Sequence, residues 1–123
     1  MTRALVYYAR LRGEDKIRSP LDMYGAIRGA CTGKERLAAE LWAVQECLIM
    51  LDVLGEQETI KALRKIYLEP FSSSPLRIPA KSEISMRVLR FAFENHLDER
   101  TVYRRLQRAR KLWLDILSRG TKL

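Results

Sequence analysis

Apolar residues in this chain recur at steps of three and four, the spacing that gives a 3.6-residue helix one buried face. The clearest run is Val102, Leu106, Ala109, Trp113 and Ile116, which predicts a helix over residues 100–118. Before it, Ile84, Val88, Leu89, Phe91 and Ala92 mark the inward side of a helix over 83–96, with Ser82 placed to cap it. The longest helix is expected over 34–54. Its main stripe is Leu37, Leu41, Val44, Leu48 and Leu51; Ala38, Trp42, Ile49 and Val53 add a second face, and Cys47, Met50 and Leu54 a third. Thr32-Gly-Lys-Glu35 has the spacing of a capping box at its start, and Gly55 stops it. A further helix follows over 56–67, with Ile60, Leu63 and Ile66 inward and Pro70 at its end.

The first part of the chain is less regular. Leu5, Tyr8 and Leu11 favour a short helix, while Leu5-Val-Tyr-Tyr8 also suits an extended segment. Residues 13–18 read as a charged loop. Ser19-Pro20-Leu21-Asp22 is a strong helix start, with a serine cap, proline at the first helical position and an acid in the first turn; that helix is expected to end by Gly29. Residues 71–82, with two prolines and three adjacent serines, read as an extended connector. The expected fold is therefore all-α: a helical body over 1–70, the connector 71–82, and a C-terminal helix-turn-helix over 83–123.

The polar pattern of the last helix carries the chemistry. Arg100, Arg104, Gln107 and Lys111 fall opposite its apolar stripe, flanked by Tyr103 and Arg108. Arginine pairs bidentately with guanine, glutamine with adenine, and either basic residue with phosphate. The first two turns of a recognition helix enter the major groove deepest. Arg100, Tyr103, Arg104 and Gln107 are thus the candidates for reading base edges, and Thr101, Arg105, Arg108 and Lys111 for holding phosphate. Two of these have alternatives: Arg105 along the core edge and Tyr103 against the preceding helix. Ala92 supplies the small residue such a motif needs, Leu97 and Val102 the apolar contacts that set its angle, and Asp98 a cap for the N–H of Arg100 or Thr101. Asn95 stands where an apolar residue is usual, and His96 where glycine is frequent.

Charge agrees with that pattern. The chain of 123 residues has a formal net charge of +8. Residues 81–123 hold 11 basic and 5 acidic side chains, net +6, against 12 and 10, net +2, in residues 1–80. The excess sits in the segment expected to meet phosphate. No apolar run is long enough for a membrane span or signal peptide, and Cys31 and Cys47 have no metal or disulfide spacing, so a reduced cytoplasmic setting is expected. His96 is the sole histidine, Glu94 lies two residues from it, and no glycine-rich phosphate loop is present. Ser72, Ser73 and Ser74 have no base near them in sequence. The reading is non-enzymatic, with no cofactor and no metal.

Three segments resemble the ArpU and RinA type of phage transcriptional regulators, whose C-terminal part is similar to region four of bacterial sigma factors. They are Lys34-Glu-Arg-Leu-Ala38, Ala62-Leu-Arg-Lys-Ile-Tyr67, and Phe91 to Ala109 with its core Glu99-Arg-Thr-Val-Tyr-Arg-Arg-Leu106. The resemblance implies a regulator of prophage late or packaging genes that binds near a promoter and acts with RNA polymerase. The near-complete apolar girth of the last three turns of helix 34–54 adds an expected homodimer. Two rivals stand beside this reading: a helical interaction protein that never reads DNA, and an RNA-binding, antiterminator-like factor, for which exposed aromatics are few.

Overall fold

The computed structural model describes residues 1–13, 19–69 and 79–120, and among these the fold is all-α. In order, the elements are α1 (Thr2–Arg12), α2 (Pro20–Ala30), α3 (Glu35–Val53), α4 (Gln57–Leu63) running into a π-helical turn (Arg64–Leu68), α5 (Lys81–Glu94) and α6 (Glu99–Gly120). The loop expected at 13–18 and the connector expected at 71–82 lie largely outside the described residues, as do Ser72, Ser73 and Ser74.

One continuous core joins all the helices. Leu5 and Tyr8 of α1, Met23 and Ile27 of α2, Leu41, Val44, Cys47 and Leu51 of α3, and Leu63 and Ile66 beyond them are buried in the same cluster as Val88, Phe91, Val102, Ala109 and Trp113. The segments set apart in the sequence as body and C-terminal module thus share an interior. α6 lies along α3, and also meets α4 and α5. Two contacts show how closely the seam is fitted: Cys47 Sγ lies 3.6 Å from the Ala109 carbonyl oxygen, and Trp113 Nε1 donates to the Glu40 carbonyl at 3.0 Å. Burial pushes the Cys47 thiol up to about 12, because the thiolate loses its water there. A second polar link is buried: Tyr8 donates its hydroxyl to Gln45 Oε1 at 3.0 Å, and Gln45 Nε2 donates to the Pro20 carbonyl at 3.1 Å.

Local signals explain several helix ends. Ser19 Oγ accepts from the Asp22 N–H at 3.2 Å, with Pro20 at the first helical position. α3 ends when Gly55, at φ +74°, lets its N–H reach the Asp52 carbonyl and the Glu56 N–H reach the Leu51 carbonyl. α5 ends by the same closure: the His96 N–H meets the Phe93 carbonyl, and the Leu97 N–H meets the Ala92 carbonyl at 2.8 Å. The closure costs His96 a φ of +54°, in the region glycine enters freely.

Four sequence expectations are corrected. The extended alternative for 5–8 gives way to α1, in which Leu5 and Tyr8 are buried. Ser82 lies inside α5 and does not cap it; Ala80 holds the cap position, with no side-chain bond. Thr32 does not cap α3, since its hydroxyl turns back to donate to the Arg28 and Gly29 carbonyls at the end of α2. Leu89, expected inward, is exposed along with Met86 and Phe93. Nothing in the apolar pattern predicts the π turn. Where this turn ends, the Ile66 and Glu69 carbonyls accept from the Arg87 guanidinium of α5, at 3.1 and 2.9 Å.

Candidate nucleic-acid interface

α5, the turn 95–98 and α6 build the site. Asp98 starts α6: its Oδ1 accepts from the Arg100 N–H at 3.3 Å, and its carbonyl takes the Thr101 and Val102 N–H groups. The acids Asp98 and Glu99 at that end suit the positive pole of the helix. Asn95, out of place by pattern, is held by polar bonds. Its Nδ2 donates to the Phe91 carbonyl at 2.8 Å, and its Oδ1 accepts from Lys61 Nζ at 2.9 Å. Ala92 is buried at the crossing, Leu97 half-buried and Val102 fully enclosed.

With Val102, Leu106, Ala109 and Trp113 turned into the core, the opposite side of α6 is fixed toward solvent. Arg100, Arg104, Gln107 and Lys111 are exposed on it, and Thr101 is half-buried. Among the described residues no carboxylate pairs with Arg100, Arg104 or Lys111. Tyr103 is 46% exposed and sits on the flank nearest α1.

The remaining two candidates are differently placed. Arg108 Nε pairs with Glu56 Oε1, and Arg105 Nη1 faces Glu58 Oε2 at 3.6 Å. Both acids belong to the start of α4, so this flank of α6 is neutralised within the fold. Arg105 has a side chain only 25% exposed, which agrees with the core-edge alternative. Between these elements runs a groove of about 510 Å³, lined by Gly55, Gln57 and Thr59 on one side and Arg104, Gln107 and Lys111 on the other. Arg104, Gln107 and Lys111 are thus brought together, while Tyr103 faces away toward α1.

Among the described residues no cluster of three or more His, Cys, Asp or Glu side chains could hold a metal, and no helix is long and apolar enough to cross a membrane. The arrangement offers hydrogen-bond donors and positive charge on a rigid rod. It can bind polyanions by Coulomb attraction and can read base edges by paired donors. No family model, curated protein or solved structure matches the chain.

Proposed function

We propose that the chain is a sequence-specific regulator of transcription that lays the outer face of α6 in the major groove of double-stranded DNA. One observation carries the reading. Arg100, Arg104, Gln107 and Lys111 stand in solvent, the three cations without a carboxylate partner among the described residues, on a helix whose other face is locked into the core. A merely solvated helix face gains little from leaving such cations unpaired and close together. Arg100, Arg104 and Gln107 read bases in this account, while Tyr103 lies on the α1 flank; Thr101, Lys111 and, once released from their acids, Arg105 and Arg108 hold phosphate. The resemblance of Glu99–Leu106 and Ala62–Tyr67 to the phage regulators supports a non-enzymatic role at a prophage promoter in the cytoplasm, beside RNA polymerase.

A second observation favours a protein contact as well. Trp42, Ile49 and Val53 share one face of α3 and are exposed, Val53 to 79%. In this reading the face meets a second copy of the chain, so that two α6 helices meet two half-sites.

Selection of bound fragments from a random DNA pool tests both. The expected result is an enriched two-half-site motif, bound at least ~10³-fold more tightly than scrambled duplex. Equal binding to all sequences, abolished by salt, removes sequence reading. Stronger retention of structured RNA than of any duplex moves the assignment to RNA.

A further inference from the structure

A cleft of about 510 Å³ opens between the first turn of α1, the π turn and the flank of α6. Its polar lining is Thr2, Arg3, Tyr67, Tyr103, Gln107 and Arg110. The π turn brings Tyr67 there beside Thr2, and burial raises its pKa, an effect that the Thr2 side chain partly offsets. Gln107 borders both this cleft and the groove on the α4 side. The cleft is therefore continuous with the surface assigned to base reading.

Charge distinguishes the two flanks of α6. On the α4 side Arg105 and Arg108 are matched by Glu58 and Glu56. On the α1 side Arg3 and Arg110 are exposed, and neither pairs with a carboxylate among the described residues. An anion approaching α6 meets uncompensated charge on the α1 side. A helix lying in the major groove has one sugar–phosphate strand along each flank. Two arginines with hydroxyl and amide donors beside them suit a phosphodiester oxygen pair.

We infer that the α1–α6 cleft holds a backbone phosphate of the DNA strand flanking the groove that α6 reads, with Arg3 and Arg110 as its cations and Tyr103 as a further donor. The inference rests on the DNA-reading assignment above. It makes α1, remote in sequence from the recognition helix, part of the interface.

The test uses the full chain and the duplex enriched by selection, followed by fluorescence anisotropy at several salt concentrations. Arg3→Ala combined with Arg110→Ala lowers the slope of log affinity against log salt by about 0.9 units, since one phosphate charge is no longer neutralised. Preferences at single base positions stay as they were. Arg3→Lys with Arg110→Lys keeps the slope, and Arg28→Ala on the exposed side of α2 does not change it. Replacing phosphates one at a time by neutral methylphosphonates supplies a readout on the wild-type chain. One linkage weakens wild-type binding by about tenfold and leaves the double alanine variant unaffected, since the charge-assisted bond is already gone. An unchanged slope, or a methylphosphonate effect equal in both proteins, overturns the phosphate site while leaving sequence reading intact. A wild-type chain that selects no duplex removes sequence reading and this site together.

Discussion

α3 and α6 are the two longest helices, and they bury matching stripes against each other, yet their outer sides are opposites. α6 turns Arg100, Arg104, Gln107 and Lys111 outward, while α3 turns out Trp42, Ile49 and Val53 with Glu46 among them. The shared seam explains the fold and nothing of the difference. Burial of Leu41, Val44, Cys47 and Leu51 against Ala109 and Trp113 would be served as well by two polar outer faces. What is left over after packing is thus the informative part. An apolar remainder suits a protein surface, and a cationic remainder suits a polyanion.

The comparison is tested most severely at the seam. Trp113→Ala should destabilise the chain by about 3–5 kcal/mol, the range for a large buried aromatic, and lower the melting temperature strongly. Unchanged stability with lost DNA binding would mean that Trp113 works on the outside. Next in size is the outer face of α3. Ile49→Lys with Val53→Lys should weaken self-association by about 3 kcal/mol, read by light scattering at micromolar concentration, and leave a folded monomer. A wild-type chain that is already monomeric removes the dimer.

The outer face of α6 comes third. Arg104→Ala should lose about 1–3 kcal/mol of DNA affinity and relax preference at one base position. Lys111→Ala should weaken all sequences alike and reduce the salt slope by about one unit. If both variants give the same uniform loss, α6 is an electrostatic anchor and no reader. Smaller again is the turn between α5 and α6: His96→Gly should stabilise by about 1 kcal/mol in chemical denaturation, by relieving φ +54°. No gain would show that the histidine side chain compensates for its backbone.

The least effect is expected at Cys47. Its folded-state pKa of about 12 stands above the unfolded value near 8.5. The folded state therefore disfavours the thiolate. The contribution is full below about pH 8.5 and is lost progressively as pH rises toward 12. At pH 9 the loss should be under about 1 kcal/mol. Alkylation of Cys47 at that pH should track global unfolding; rapid labelling of the native chain contradicts a sealed seam.

What could be read from the sequence was what neighbouring residues decide. The stripe Val102–Trp113, the Ser19-Pro20 start, the Gly55 stop and the Asp98 cap each depend on residues within one or two turns. The misreadings have the opposite character. Ser82 and Thr32 have cap chemistry, but helix α5 gains its first turn earlier and Thr32 finds carbonyls behind it. The pairing of Arg108 with Glu56 and Arg105 with Glu58 joins residues about fifty apart, so neither could be seen from the basic face of α6 alone. Arg3 and Arg110 escape a reading of the sequence for the same reason: only folding brings them to one cleft. Arg87 reaches the carbonyls at the end of the π turn from another element, a contact that no local pattern shows.

The bond from Trp113 Nε1 to the Glu40 carbonyl has a consequence beyond the stability of the seam. A cylinder resting on another is free to roll, and an apolar stripe resists rolling only weakly, since methyl groups exchange partners at small cost. A directional bond fixes the azimuth. At a radius of ~6 Å, a roll of ~20° carries every outward side chain about 2 Å sideways, more than hydrogen-bond geometry tolerates. The indole therefore acts as an index pin. Trp113→Phe, which keeps most of the volume and loses the donor, would leave a chain that is folded but blurred in its choice of partner.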